Sequence, residues 1–186
     1  MSVIQAIRNR RSQKRFTDRP IADSDLRALI EAAILAPNHK MTQPWGFVVL
    51  GPRARHRYGE IKAADRVKDE ADRKIAEEKR EKIIAEISAV PGVVIVTQKL
   101  DSNPARAEED YAAIFMGIEN MLLLATSMGL GSKVHTGPIM MDPALRELTG
   151  SADDERVVAI VHFGEPAEEM PPKHRVPAAD KTKWLP

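Results

Sequence analysis

The sequence predicts an α+β or α/β domain, and two features carry that reading. Three β-branched apolar runs, GFVVL (46–50), VVIVTQ (93–98) and VVAIVHFG (157–164), have the length and composition of strands. Segments of helical character separate them. The longest is EEDYAAIFMGIENMLLLATSMG, whose Glu119 and Asn120 favour a central core helix over a membrane span.

Ser2 suits the cap of a first helix running to about Asn9, with Ile4 and Ile7 on its buried side. The basic run RRSQKRF and the turn TDRPIADSD follow. LRALIEAAILA then reads as a helix capped by Asp23 or Ser24 and stopped at Pro37. After the first strand, PRARHRYGEIKA and RVKDEADRKIAEEKREKIIAEI are one or two charged surface helices. The strand at 93–98, behind Pro91 and Gly92, is apolar enough for burial. Pro143 to Leu148 is a short helix closed by Gly150. From Glu165 the chain holds five of the 13 prolines without helical or strand period, so residues 165–186 are expected to form an extended arm on a single domain, 1–186.

Composition removes several functions. Without cysteine there is no disulfide scaffold, thiolate nucleophile or iron–sulfur cluster, which fits a reducing, cytoplasmic address. A net charge of +1 and 4% aromatic residues argue against a nucleic-acid binder, with 8–19 as a basic arm and 62–88 as a docking helix. The start shows no signal-peptide pattern. No P-loop, GxGxxG, GxSxG or HExxH is present, and the five histidines show no ligand spacing, so no metal is expected.

Four segments carry polar chemistry. Within residues 10–16, Arg10, Arg11, Ser12 and Lys14 leave a helix end together, where they match the oxygens of one anion; a solvated basic loop is the plain alternative. PPKHRVP (171–177) sets Lys173 and Arg175 on one side of an extended arm, a second cluster able to close over the same phosphate. LAPNHKMTQPWGFVV (35–49) places a polar loop between a helix and a strand, with Trp45 as a core plug. In MGLGSKVHTGPI (128–139) the glycines allow close backbone approach to a flat ligand, although a helix cap accounts for one of them.

In order along nearly the whole chain, RRSxxxF, APxxxxxQPWxFVV, the glycine-rich segment and PKxRxP resemble the nitroreductase family of flavin enzymes, in its compact NAD(P)H-dependent group. The resemblance implies an α+β sandwich, a mainly antiparallel sheet flanked by helices, in an intertwined homodimer binding FMN at its interface. It implies that Arg10 and Ser12, with Arg11 in the same element, hold the FMN phosphate and ribityl chain. Lys173 and Arg175 would be the late phosphate pair, and Lys14 would lie near the pyrimidine edge and tune the flavin. Asn38 and His39 would reach the partner's flavin. Val134, His135, Thr136 and Gly137 would run beside the isoalloxazine ring. Met41 departs from the asparagine of many relatives; methionine cannot donate, which bears on flavin contacts, redox potential and substrate range. The implied activity is hydride transfer from NADH or NADPH through FMN to a nitroaromatic, quinone or similar acceptor. An FMN carrier or sensor with little turnover is the alternative. No side-chain acid or base is required, and neither nucleic acid nor membrane is an expected partner.

Overall fold

The computed structural model describes all 186 residues. Four antiparallel strands form one sheet: β1 (Trp45–Val49), β2 (Gly92–Lys99), β3 (Gly131–His135) and β4 (Glu155–Gly164), in the spatial order β1-β2-β4-β3. Helices α1 (Val3–Asn9), α2 (Asp23–Ile34), α3 (Pro52–Val67), α4 (Arg73–Ser88), α5 (Pro104–Ser127) and α6 (Pro143–Thr149) cover it. The fold is α+β. No helix is long and apolar enough to cross a membrane.

Because side chains alternate across a strand, β2 feeds two cores. Val94 and Val96 point to the layer of α2 and α5, where Leu29, Met121 and Phe163 are buried. Val93 and Ile95 point to the opposite layer, packing with Tyr58 and Ile61 of α3, Ile87 of α4 and Leu145 of α6. Fully burying each such side chain is worth about 1.5–3 kcal/mol, so the strand read from sequence as buried anchors both layers. At Gly117 of α5 an added Cβ would lie 2.8 Å from the Ala33 carbonyl oxygen, so the absent side chain lets α2 and α5 approach. Trp45 packs against the α2–α5 core, as expected.

Several local expectations change. The Ser2 cap is present as a full capping box with Gln5. Ile4 and Ile7, however, are exposed and only Ala6 of that helix is buried. Helix α2 is preceded by Ala22 without a side-chain cap; Asp23 and Asp25 instead sit in its first turn, where carboxylates favour the helix dipole. Helix α5 starts earlier than its acidic run, at Pro104, with Asn103 accepting from the amides of Ala105 and Arg106.

The strand β3 lies in the segment read only as glycine-rich. Its five residues are too short and polar to signal a strand; pairing with β4 makes it. Residues 11–13 lie along its outer edge, with a parallel bridge between Ser12 and Ser132 and the Gln13 amide donating to Ser132 O at 2.9 Å. Thr17 donates to Glu165 through both its amide and its hydroxyl, and Arg15 pairs with Glu168, so the basic segment also holds the root of the C-terminal arm. From residue 171 onward every residue is exposed.

Candidate flavin site and the neighbouring cationic cleft

The bridge between Ser12 and Ser132 brings two of the four polar segments together. Arg10 and Ser12 share a groove of about 270 Å³ with Val134 of β3 and with Phe115, Ile118 and Leu122 of α5. Polar groups and apolar side chains therefore share the lining, with Glu119 and Ser132 beside them, which suits a flat ring with a charged tail. Arg10 pairs with Glu119 at 3.5 Å, a partly exposed contact that a phosphate can displace.

Beyond the end of β3, Thr136 and Gly137 are exposed, and neither amide donates a backbone hydrogen bond among the loop contacts. Gly137 has φ = 111°, and nothing lies within 4 Å of where its Cβ would be. Such a bare backbone offers donors to a ring edge. These features fit FMN: cationic and hydroxyl donors for the phosphate and ribityl chain, an apolar wall for the ring, and free amides for its edge.

The remaining predicted residues are distributed unevenly. Arg11 donates through Nη1 to the carbonyls of Arg8 and Arg10, so it braces the turn. Lys173 and Arg175 lie on the exposed arm and form no hydrogen bond or ion pair with residues 10–16. Asn38 is half-buried and accepts from the Gln43 amide at 3.0 Å, holding its own loop. His39 pairs with Glu109 at 2.7 Å, and Thr42 donates to the buried Asp110 at 2.6 Å. Around these anchors Lys40, Met41 and Gln43 all have positive φ, between 46° and 54°. For residues with side chains that conformation is costly, and it persists here because Asn38 and Asp110 hold the loop from both sides. Its product is a Met41 side chain that is 69% exposed at the loop tip.

Lys14 and His135 open onto a second cleft of about 690 Å³, between α3, α4 and the β3 edge of the sheet. Sequence reasoning named His135 but missed Lys62 and His162 in its floor. Lys62 of α3 donates to the Tyr58 hydroxyl at 3.2 Å and approaches His135 Nδ1 at 3.1 Å. His162 of β4 sits beside His135 with ring centroids 4.3 Å apart. The signal was one polar residue inside the apolar run VVAIVHFG, but only the β3–β4 register says which residue faces it.

Burial shapes the charges of this cluster. It lowers Lys62 to about 8, helped by the neighbouring Arg66 and Lys133. It lowers His135 to about 3, and the Lys62, Lys133 and Arg66 charges add to that; His162 moves the same way for the same main cause. Both imidazoles are therefore neutral at pH 7, and His135 Nδ1 accepts from the Lys62 ammonium. Their folded values lie below the unfolded one, so the unfolded chain takes up protons first as pH falls. Stability contributed by the neutral rings is fully present above about pH 6.5 and is lost progressively toward the His135 value. The unfolding midpoint is expected to fall between pH 6.5 and 5, less steeply in His162→Leu than in the native protein. Equal slopes in a pH series of thermal unfolding would contradict this.

Comparison with known proteins agrees with this architecture. Residues 7–165 match the Nitroreductase family. YfhC of Bacillus subtilis (strain 168), which bears an NAD(P)H nitroreductase name, is 32% identical over 176 residues, covering 94% of this chain and 90% of its own. The crystal structure of a nitroreductase-like family protein from Bacillus cereus superposes with a TM-score of 0.83 at 27% identity, covering 100% of this chain and 96% of that one. The FMN and NADPH-dependent nitroreductase NfnB from Sphigopyxis sp. strain HMH shares the fold, with a TM-score of 0.78 at 19% identity and full coverage of both chains. Fold and site together define an α+β sandwich with a groove at its sheet edge. The chain belongs to the nitroreductase family.

Proposed function

We propose that the chain is an FMN-dependent oxidoreductase, passing hydride from NADH or NADPH to a nitroaromatic, quinone or similar acceptor, and that it works as a homodimer. The observation that carries this reading is the groove where Arg10, Ser12 and Val134 meet beside the bare backbone of Thr136 and Gly137. Bound FMN supplies the hydride chemistry; the chain supplies binding, orientation and charge.

Arg10 and Ser12 hold the phosphate end, joined by Lys173 and Arg175 once the arm is seated. Phe115, Ile118, Leu122 and Val134 form the apolar wall that keeps water from one ring face. The Thr136 and Gly137 amides orient the ring edge. The Lys14 ammonium opposes the negative charge that reduction leaves at the pyrimidine side and so favours the reduced state. Met41 and His39, presented at the strained loop, extend toward the flavin of the partner subunit.

The dimer is supported by apolar surface without intrachain cover: Val3, Ile4 and Ile7 of α1, Leu35, and Trp184 and Leu185 of the arm, with Trp184 88% exposed. Anaerobic mixing with a reduced nicotinamide tests the function. An oxidoreductase loses its oxidised-flavin absorbance and regains it when an acceptor is added; a carrier does not respond.

A further inference from the structure

The apolar wall of the groove continues past it along α5. Phe115, Ile118 and Leu122 line the groove, and Tyr111 lies one turn before Phe115 on the same helix face. The Tyr111 and Phe115 rings meet at a centroid distance of 5.0 Å, tilted by 56°. On the sheet side, β3 ends at His135, opposite Ile160, so the first residues of β4 have no paired strand on that edge. The aromatic stripe and the bare edge come together at Arg156, whose guanidinium carbon stands 5.0 Å from the centroid of the Tyr111 ring.

Arg156 is held in place but not neutralised. Its Nε donates to Gln98 Oε1 at 2.9 Å, and Gln98 Nε2 donates in turn to the Ala107 carbonyl of α5 at 2.6 Å. Gln98 is fully buried, so close packing fixes this anchor. Three acids immediately precede Arg156, and each is engaged elsewhere: Asp153 with Arg146, Asp154 with Lys99, and Glu155 with the Ala152 amide. The two terminal nitrogens of Arg156 are thus left without an intrachain partner, and the residue is exposed. A guanidinium stacked on a ring and tied through Nε presents its Nη groups as a preset fork, which takes both oxygens of a carboxylate. The cations beside its anchors, Lys99 and Arg106, are already paired with Asp154 and Asp101. One free fork matches a monoanion better than a phosphate dianion.

We propose that Arg156 is the specificity residue of the acceptor site and that the acceptor is an aromatic acid. Its ring lies at the Tyr111 end of the stripe and its carboxylate on the Arg156 fork. The acceptor role rests on the oxidoreductase reading above; the aromatic-acid site rests on Tyr111, Gln98 and Arg156. A neutral ring of the same shape meets the same stripe but leaves the fork in water, so charge decides between the two.

Calorimetric titration of the purified protein with 4-nitrobenzoate and with its neutral counterpart 4-nitrobenzamide tests this in the native chain, in Arg156→Gln and in Tyr111→Leu. The native protein is expected to bind the acid about ten-fold more tightly than the amide, the scale of a hydrogen bond to a charged group. That preference should vanish in Arg156→Gln and shrink in Tyr111→Leu, which keeps the charge but frees the guanidinium. Both side chains are exposed, so neither replacement empties the core. In turnover with NADPH, kcat/KM for the acid relative to the amide should fall about ten-fold in Arg156→Gln, a ratio that cancels the intrinsic reducibility of the two compounds. Equal affinity for acid and amide in the native protein, or a preference that survives in Arg156→Gln, overturns the proposal. A raised KM for NADPH or NADH in Arg156→Gln, with the preference intact, would give the fork to the nicotinamide nucleotide and overturns it too. A protein that prefers the acid through Arg156 yet oxidises no reduced nicotinamide supports the aromatic-acid site and contradicts the oxidoreductase reading instead.

Discussion

Arg10→Ala and Arg175→Ala are each expected to weaken FMN binding by about 1.5–3 kcal/mol, the scale of a hydrogen bond to a charged group. That is more than ten-fold in affinity for each. A phosphate monoester carries close to two negative charges at pH 7, and Arg10 stands at the groove with Ser12 while Arg175 stands on the arm. The Arg10 side chain is held meanwhile by Glu119 at 3.5 Å, a long, partly exposed pair that a dianion can replace. Both variants should fold, because Arg10 belongs to neither core cluster and Arg175 is exposed. The affinity is read by fluorescence titration of the flavin-stripped proteins. Native affinity in both would place the phosphate elsewhere.

Deleting residues 171–186 is expected to have the larger structural effect. Those residues are exposed throughout, they carry Trp184 and Leu185, and they include Lys173 and Arg175. An arm with no cover in its own chain gains burial by crossing to a partner, and the exposed apolar side of α1 gives the partner a surface to cover. An obligate interface of this kind buries above about 2,000 Å² in total. The truncated protein should sediment as a monomer at micromolar concentration and lose flavin, whereas the full chain is expected to sediment as a dimer. A full-length monomer that retains its flavin would contradict the dimer.

The two cores were legible in sequence because they depend on local pattern. The runs at 93–98 and 157–164 are apolar enough to be strands buried on both faces, and the α5 segment is apolar along most of its length. The strand β3 was not legible: GSKVH has no apolar run, and it becomes a strand only through pairing with β4. The same limit hid the cleft. His135 and His162 are 27 residues apart in a sequence showing no ligand spacing, and the register that sets His162 opposite Lys133 puts their rings together. Lys62 stood in a helix read only as charged surface, because a helix face reveals its burial through neighbours that sequence does not name. Ile4 and Ile7 fail in the opposite sense: their apolar character was read as intrachain burial, and the chain has no element to cover them. The basic run at 10–16 stood out in sequence as a segment. Its division of labour, with Arg10 and Ser12 in the groove, Arg11 bracing the turn and Lys14 on the cleft, followed from the bridge to β3.

The central claim, that the groove beside β3 holds an FMN that takes hydride from a nicotinamide, is tested most directly by the visible absorbance of the purified protein during anaerobic addition of NADPH or NADH. The account predicts a yellow protein whose flavin bands bleach on mixing and return when a nitroaromatic or quinone is added. A colourless protein, or a yellow one whose bands persist in excess reduced nicotinamide, would contradict it.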